Sequence, residues 1–281
     1  MSHPYRSALY LPGARERVLE KARGLAADAL IFDLEDAVAP EDKVAARELV
    51  CEMVQSGYGA RKRLIRVNGL ESDWGEADLE AAIIAEPDGI LIPKVNSGAE
   101  LKAIAGRLKG KTRLWAMMET PLGVLNAAEI AASTPLLEGF VIGTNDLVKE
   151  LFASHTADRA PVMTSLSLCL LAARAHGLVC IDGVYNAFKD EAGLKVECQQ
   201  GLNMGFDGKT LIHPAQVAIA NEVFAPSEAD IELAKRYIDA FAGASGVAVV
   251  DGKIVENLHV ENAVRLLAKA DMISEMNKTG G

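Results

Sequence analysis

The chain has 281 residues, of which 50% are hydrophobic, 24% are charged and 5% are aromatic. This composition is typical of a globular protein with a large core and excludes long disordered regions, and so few aromatic residues argue against a surface that stacks nucleic-acid bases. The formal charge of −10 and a pI near 5.1 argue against binding to nucleic acids or anionic membranes, because both attract positively charged surfaces.

Short apolar runs alternate with helical patterns over the first 225 residues. The strand-like runs cover 6–11, 29–34, 63–68, 89–93, 114–118, 139–143, 178–182 and 206–211. The helical patterns between them cover 16–26, 40–55, 78–85, 99–108, 121–132, 163–175, 193–203 and 214–223. Runs such as ALIF at 29–32 and GILI at 89–92 are apolar throughout, as in strands that are buried on both faces of a parallel sheet.

This regular alternation of eight strands and helices predicts an α/β protein with a (β/α)8 barrel over residues 1–225. A doubly wound open sheet is the alternative architecture. No GxGxxG motif follows the first strand, which weakens the dinucleotide-binding version of that alternative.

The pattern changes after residue 225. Ser227 is the predicted N-cap of a helix that ends near residue 241. A glycine-rich connection at 243–246 leads to two short β-branched runs around Asp251 and Gly252, a pair typical of a hairpin turn. A final helix is predicted over 259–272. We expect residues 226–281 to form a C-terminal helix and lid extension, which either packs against its own barrel or covers an active site.

The cysteines and the lengths of the apolar runs indicate in which cellular compartment the protein is expected. Cys51, Cys169, Cys180 and Cys198 form no CxxC pair, so the sequence predicts free thiols in a reducing environment. No apolar run approaches the roughly 20 residues of a membrane span, and the amino terminus lacks the apolar core of a signal peptide. We therefore expect a cytoplasmic protein.

Polar side chains follow the predicted strands at their carboxyl ends, where a barrel of this kind carries its active site. They are Asp33, Glu35, Asp36, Arg66, Asn68, Lys94, Glu119, Thr120, Asn145, Asp146, Asp182 and His213. Each could simply cap the next helix or pair with a neighbour. Converging carboxylates, however, repel one another unless a cation lies among them. The pattern therefore predicts a hard divalent metal such as Mg2+, which takes one or two protein carboxylates together with water and substrate.

Other kinds of catalytic centre find little support. The five histidines show no HExxH or similar spacing for zinc, and only His213 lies where a catalytic histidine could act. No GxSxG elbow and no Cys–His arrangement indicate a serine or cysteine nucleophile.

The turn after the first strand is strongly basic. Arg15, Arg17, Lys21 and Arg23 lie within nine residues, and Gly13 permits a tight turn into the helix. A helix N-terminus surrounded by basic side chains favours a phosphate group. The alternative is a solvated helix face whose cations pair with the glutamates at 16 and 20.

Seven short segments, taken together and in order, resemble the citrate-lyase β-subunit-like enzymes, the HpcH/HpaI aldolase group that includes malyl-CoA, β-methylmalyl-CoA and citramalyl-CoA lyases. The segments are RSALYLPG at 6–13, FDLEDAV at 32–38, RVN at 66–68, IPK at 92–94, ETP at 119–121, GTNDL at 143–147 and IHP at 212–214. The likeness extends over essentially the whole chain. It implies a (β/α)8 barrel that assembles as trimers or hexamers.

The resemblance also implies roles at the metal. Glu119 and Asp146 match the two Mg2+ ligands, and Glu35 and Asp36 match carboxylates that surround the metal. Arg66 matches the arginine that binds the substrate's carboxylate and its oxo or hydroxyl oxygen.

Further matches concern the substrate. Positions that hold CoA in the resembled enzymes correspond to Tyr10, Arg15 and Lys21. Positions that line the substrate correspond to Asn145, Ile212, His213 and Pro214. The implied partner is a small CoA thioester, with Mg2+ as cofactor.

In the resembled enzymes the C-terminal hairpin and helix form a lid over a neighbouring subunit's site, with a catalytic aspartate shortly after a Gly-Lys turn. Here the matching position is Glu256, whereas Asp251 falls on the turn itself. One added methylene moves a carboxylate by more than about 1 Å, a displacement that can cost about a hundredfold in a positioned proton transfer. The resemblance thus implies Glu256 and Arg66 as catalytic residues.

Two reactions fit these residues: hydrolysis of (3S)-malyl-CoA to malate and CoA, and reversible C–C cleavage of a malyl-CoA-type thioester to an acyl-CoA and a 2-oxoacid. The segments WAMMET at 115–120, DGVYNAF at 182–188 and VENLH at 255–259 resemble the hydrolytic branch, which favours hydrolysis. A third hypothesis is a non-catalytic or carrier-dependent subunit of the citrate lyase β type. The complete lid and the basic turn argue against it.

Overall fold

The computed structural model describes residues 3–55, 57–243 and 246–279. Within these residues the chain forms two compact units, one of residues 5–221 and a second one made of residues 222–243 and 246–279 with 3–4. The two units are taken in turn.

Eight parallel strands of the first unit close into a barrel in chain order, with β1 hydrogen-bonded to both β2 and β8. The strands are β1 (Ser7–Pro12), β2 (Ala29–Asp33), β3 (Lys62–Arg66), β4 (Gly89–Ile92), β5 (Arg113–Met118), β6 (Leu137–Ile142), β7 (Val179–Asp182) and β8 (Gly208–Leu211). The predicted (β/α)8 barrel is confirmed, and the doubly wound alternative is wrong because β8 returns to β1 and closes the sheet.

Helices connect successive strands. They are α1 (Glu16–Ala22), α2 (Lys43–Met53), α3 (Gly75–Ala85), α4 (Gly98–Ala105), α5 (Pro121–Leu125), α6 (Ala127–Ala131), α7 (Thr144–Glu150), α8 (Met163–Ala175), α9 (Glu191–Met204) and α10 (Val217–Val223). The helix predicted at 121–132 is two helices that meet at Asn126, and α7 was not predicted at all.

The barrel interior is filled by alternate side chains of the strands, as the two-residue period of a strand requires. The packed cluster contains Tyr5, Ala8, Ala29, Ile31, Leu64, Leu91, Trp115, Met117, Val141, Val179 and Ile181. The intervening residues of β2, such as Leu30 and Phe32, are equally buried because helices cover the outer face. Burial on both faces explains why this strand is apolar until Asp33.

The second unit contains α11 (Glu228–Ala242), a hairpin of β9 (Ala248–Val250) and β10 (Lys253–Val255), and α12 (Asn257–Thr279). Ser227 caps α11 as predicted, since its hydroxyl accepts a hydrogen bond from the Asp230 amide at 3.1 Å. Asp251 and Gly252 both have positive φ, as a tight hairpin turn requires. Residues 244 and 245 of the predicted glycine-rich connection lie outside the described residues.

The four cysteines are unpaired, and Cys169, Cys180 and Cys198 are buried, which agrees with the expected free thiols. In the described ranges, no helix is both long enough and apolar enough to cross a membrane.

Candidate active site

Arg66 lies at the carboxyl end of β3 with its guanidinium at the barrel mouth. Its Nε and Nη2 atoms donate to the two carboxylate oxygens of Asp33 at 2.7 and 2.6 Å. Its Nη1 atom lies 2.8 Å from Oε2 of Glu35, and its guanidinium carbon stands 4.9 Å from the ring centre of Tyr10. This guanidinium is therefore held in a fixed plane by a bidentate carboxylate and an aromatic face.

Hydrogen bonds from Lys43 hold the loop after β2 in place. Lys43 Nζ donates to the carbonyl oxygens of Leu34 and Glu35 at 2.8 and 2.7 Å, and to Oδ1 of Asn68 at 2.7 Å. Burial, which outweighs the nearby carboxylates, lowers the pKa of Lys43. A buried ammonium with three acceptors fixes the loop that presents Asp33 and Glu35 to Arg66.

Glu119 is a deeply buried carboxyl group of the mouth, with 1% of its surface exposed. Its Oε1 atom accepts a hydrogen bond from the Lys94 amide at 2.8 Å, whereas its Oε2 atom is buried without a hydrogen-bond partner among the described residues. A Cβ at Gly143 would lie 2.4 Å from that Oε2 atom. Only glycine therefore lets the Glu119 carboxylate sit against the start of α7.

Asp146, in the first turn of α7, adds a second carboxylate to this end of the barrel. Burial, followed by the charges of Glu35 and Asp146, raises the pKa of Glu119 to about 8. Burial also raises the pKa of Glu35. Burial acts to lower the pKa of Lys94, but the carboxylates of Glu35, Asp146 and Glu119 outweigh it, so the pKa of Lys94 is raised as well.

The barrel mouth therefore carries more negative than positive charge. Five carboxyl groups lie here together with three cations, namely Asp33, Glu35, Asp36, Glu119 and Asp146 with Lys43, Arg66 and Lys94. In the described part of the chain, no three His, Cys, Asp or Glu side chains are arranged to hold a metal ion. Mg2+ takes only one or two protein carboxylates, so this finding does not test the predicted pair of Glu119 and Asp146, which stays a prediction.

The basic turn follows β1. The Gly13 amide donates to the carbonyl oxygen of Asp33 at 2.9 Å, and a Cβ at Gly13 would lie 2.6 Å from that oxygen. Glycine thus allows the turn to pack against the end of β2. Arg15, directly before α1, and Lys21, on α1, are both exposed. The Arg23 guanidinium pairs with Glu20 at 3.1 Å, as expected if Arg23 lies on a solvated helix face.

The predicted substrate-lining residues lie in the first turn of α7, which follows β6, and in the segment after β8. Asn145 is exposed, and its amide exchanges hydrogen bonds with that of Asn186 at 3.2 and 2.8 Å. Ile212, His213 and Pro214 are also exposed, and the His213 ring stacks on Phe188 with 4.8 Å between ring centres. The His213 Nδ1 atom accepts from the Ala215 amide at 3.2 Å, so this ring caps a helical turn.

In the second unit, Glu256 immediately precedes α12. Its amide donates to Nδ1 of His259 at 3.0 Å, and its carboxylate is exposed. Asp251 instead forms an ion pair with Arg236. The two candidate lid carboxylates thus differ, since the Asp251 carboxylate is paired with Arg236 of α11 and the Glu256 carboxylate is exposed.

A second ionic cluster lies outside the barrel lumen, between β7, β8 and α9. Both carboxylate oxygens of Asp182 accept from Nη1 of Arg159 at 2.7 Å, and Lys209 Nζ lies 3.1 Å from Asp182 and 2.7 Å from Glu197. Burial opposes the ionisation of Asp182, but Lys209 and Arg159 together hold its pKa below its ordinary value.

Some residues that shape the mouth were not predicted as site residues. The sequence around Lys43 indicates only the start of a helix. No neighbouring residue indicates that its side chain contacts the loop after β2. Gln216 is fully buried and accepts hydrogen bonds from the Ile212 and His213 amides at 3.0 and 3.1 Å. Its position three residues after a helix cap is a capping-box signal that could have identified it.

The sequence and the fold can be compared with those of known proteins. Residues 6–214 match the family model of HpcH/HpaI aldolase/citrate lyase. A (3S)-malyl-CoA thioesterase from Cereibacter sphaeroides (strain KD131) is 61% identical over 278 residues, which cover 97% of each chain. The citrate lyase subunit beta of Escherichia coli (strain K12) is 33% identical and covers 95% of this chain and 93% of its own.

The chain belongs to the HpcH/HpaI aldolase/citrate lyase family.

A solved structure of this family agrees with the fold. The CitE protein of Mycobacterium tuberculosis, crystallised with magnesium, acetoacetate and coenzyme A, superimposes with a TM-score of 0.81 at 30% identity and covers 96% of this chain and 98% of its own. The family predicted from the seven sequence segments is therefore confirmed.

Proposed function

We propose that this family member is a Mg2+-dependent enzyme that hydrolyses (3S)-malyl-CoA or a closely related 3-hydroxyacyl-CoA to the free acid and CoA. The observation that carries the proposal is the 61% identity to a (3S)-malyl-CoA thioesterase over 97% of both chains. Identity at this level over the full length, in a barrel whose mouth holds a surplus of carboxylates, supports the same substrate class and the same reaction.

The mouth fits a divalent cation. Glu119 Oε2 is buried without a hydrogen-bond partner among the described residues, and burial, followed by the charges of Glu35 and Asp146, raises the Glu119 pKa. A hard cation between these two carboxylates would remove both the unsatisfied oxygen and the repulsion. We assign Glu119 and Asp146 as its ligands, with Glu35 and Asp36 as the surrounding carboxylates. When bound, Mg2+ would polarise substrate oxygens as a Lewis acid.

Arg66 would orient the acyl group. Its side chain is 6% exposed and fixed by Asp33 and Tyr10, so its charge costs little reorganisation when a negative oxygen develops on the substrate. A guanidinium in a fixed plane also suits the malyl carboxylate, which it can bind through two parallel hydrogen bonds.

The CoA part would lie along the loops after β1 and β8. Exposed Arg15 and Lys21 offer cations to its phosphates, and Tyr10 borders the thioester end of this path. Asn145 and the segment Ile212, His213 and Pro214 would line the substrate from the other loops. Each of these side chains, apart from the half-buried Tyr10, is exposed and available to a ligand.

We propose that Glu256, on the lid of a neighbouring subunit in a homotrimer or homohexamer, acts as the general base. Its carboxylate would take a proton from water as the water oxygen bonds to the thioester carbonyl carbon. The C–S bond of the tetrahedral intermediate then breaks, and the CoA thiolate leaves and takes up a proton. The exposed carboxylate of Glu256, with Asp251 engaged by Arg236, supports this choice over Asp251.

One assay decides between the two reactions of this family. Purified protein is incubated with (3S)-malyl-CoA and Mg2+, and free thiol, malate and glyoxylate are measured together. Hydrolysis releases thiol and malate in equal amounts without glyoxylate. Glyoxylate with acetyl-CoA would instead identify the C–C lyase, and no turnover of free malyl-CoA would favour a carrier-dependent subunit.

The lid assignment has its own test. Glu256→Gln keeps the shape of the side chain and removes its basicity, so hydrolysis should fall at least about a hundredfold while substrate still binds. Mixed oligomers of Glu256→Gln and Asp146→Ala subunits should regain part of the activity, because some sites then combine an intact lid with an intact mouth. Verified mixed oligomers without any regain would contradict a lid supplied by the neighbour.

A further inference from the structure

The side chain of Gln216 is polar yet only 1% exposed, and its hydrogen bonds go to backbone groups of two loops. Its Oε1 atom accepts from the amides of Ile212 and His213 at 3.0 and 3.1 Å. Its Nε2 atom donates to the carbonyl oxygen of Tyr185 at 2.9 Å. One buried amide group thus joins the loop after β8 to the loop after β7.

The loop after β7 is itself a firm support. At its start, the Gly183 amide donates to Asp182 at 2.8 Å, and Asp182 is held by Arg159 and Lys209. At its end, the Tyr185 hydroxyl donates to Asp190 at 2.7 Å, and Asp190 caps α9 through the Gly193 amide. Both ends of the loop are therefore tied to the barrel and to a helix.

The segment that Gln216 holds, in contrast, is exposed. Ile212 has 42% of its surface exposed, and His213, Pro214 and Ala215 are exposed as well. Such a segment gains little from packing, so its conformation depends on hydrogen bonds and on the stacking of His213 against Phe188. Gln216 is buried and accepts hydrogen bonds from two backbone amides of this segment, which restrains its conformation.

We propose that Gln216 is a positioning residue for CoA binding: it fixes the Ile212–Pro214 backbone against the loop after β7 and so presets the surface that receives the CoA part of the substrate. The proposal rests on the proposed function, because it requires a CoA thioester along this segment. Gln216 itself touches no substrate. It acts by lowering the entropy cost of ordering an exposed loop when the ligand binds.

The test compares Gln216→Met with the unmodified protein and with Gln199→Met, a matched substitution on the exposed face of α9. Methionine keeps the length of the side chain and removes all three hydrogen bonds. The dissociation constant of CoA, measured by titration calorimetry, and the KM for malyl-CoA should both rise about tenfold, the effect of roughly one to two net hydrogen bonds. The kcat should change less than about threefold, because the reacting atoms lie elsewhere. Gln199→Met should leave all three values unchanged.

A CoA affinity of Gln216→Met equal to that of the unmodified protein overturns the proposal, even if the melting temperature falls, because the residue then serves folding alone. If Gln216→Met does not fold, Gln216→Glu gives the same decision. Its carboxylate still accepts from both amides but cannot donate to Tyr185, so CoA affinity should again fall. An unmodified protein that binds no CoA rejects the proposed function, and that result is seen before any variant is compared.

Discussion

The barrel unit contains two buried ionic clusters that differ in charge balance. The outer cluster pairs two cations, Arg159 and Lys209, with two carboxylates, Asp182 and Glu197. The mouth cluster combines five carboxyl groups, including Asp36, with three cations, Lys43, Arg66 and Lys94. The same physical effect, burial of a carboxyl group, has opposite outcomes in the two places.

The pKa values of Asp182 and Glu119 are shifted in opposite directions by this difference in charge balance. Lys209 and Arg159 overcome burial and hold the pKa of Asp182 below its ordinary value, whereas burial and neighbouring carboxylates raise the pKa of Glu119 to about 8. A balanced cluster is complete without a ligand and contributes to the fold. An unbalanced one is completed by a cation or a substrate, so charge balance distinguishes a structural cluster from a candidate site.

The largest expected effect is on the mouth. Glu119→Gln should lower kcat/KM in the presence of Mg2+ at least about a thousandfold, since Lewis-acid stabilisation is worth several kcal/mol and each factor of ten corresponds to about 1.4 kcal/mol. The stability of the metal-free protein should stay the same or rise, because glutamine removes a buried carboxyl group whose ionisation is opposed by burial and by neighbouring carboxylates. Steady-state kinetics and urea unfolding in EDTA measure the two effects, with the exposed Glu80→Gln as control. Unchanged turnover would mean that Glu119 is no metal ligand.

The outer cluster should respond in the reverse way. Asp182→Asn leaves the buried Arg159 and Lys209 without their shared carboxylate, and breaking a buried ion pair costs about 3–5 kcal/mol. The free energy of unfolding from urea titrations should fall by that amount, whereas the exposed Asp73→Asn should have little effect. A loss below about 1 kcal/mol would remove the contrast between the two clusters.

The raised pKa of Glu119 predicts a pH dependence of the metal-free protein. The folded state keeps this carboxyl protonated up to about pH 8, while the unfolded chain releases the proton near the ordinary value of 4.5. Between these values the folded state binds more protons, so the free energy of unfolding falls as pH rises and levels off above about pH 8.

Urea unfolding in EDTA from pH 5 to 9, for the wild type and for Glu119→Gln, isolates this effect as the difference between the two proteins. A difference that does not change with pH would show that the Glu119 carboxyl is ionised throughout, which would weaken the case for an unbalanced mouth.

The smallest expected effect lies at the edge of the mouth. Arg15→Glu should raise the KM for malyl-CoA about tenfold and leave kcat nearly unchanged, because the phosphate contacts are remote from the bond that breaks. Arg113→Glu is the matched control, since Arg113 is exposed at the amino end of β5, the opposite end of the barrel. An equal KM for malyl-CoA and for a truncated thioester without the nucleotide would contradict a phosphate contact at Arg15.

Much of the fold could be predicted from local patterns. The apolar runs at 29–34 and 89–93 became β2 and β4, and the helix predicted at 163–175 is α8 with the same bounds. These elements depend on burial of every residue or on a regular period, which a single sequence displays. Helix α7 was missed because its first turn, at Asn145 and Asp146, was interpreted as a polar strand end.

The sequence by itself determined the order of the strands, the residues at their carboxyl ends, and the motifs that indicate the family. Only the tertiary structure decided how those residues combine. Asp182 ends β7 and Glu119 directly follows β5. The Asp182 side chain points outward to Arg159 and Lys209, whereas the Glu119 side chain points inward, and its Oε2 atom has no hydrogen-bond partner among the described residues. The reach of Lys43 and Gln216 across loops was likewise invisible. The physical reason is that charge pairing and burial depend on which distant strands become neighbours, and that is settled only when the barrel closes.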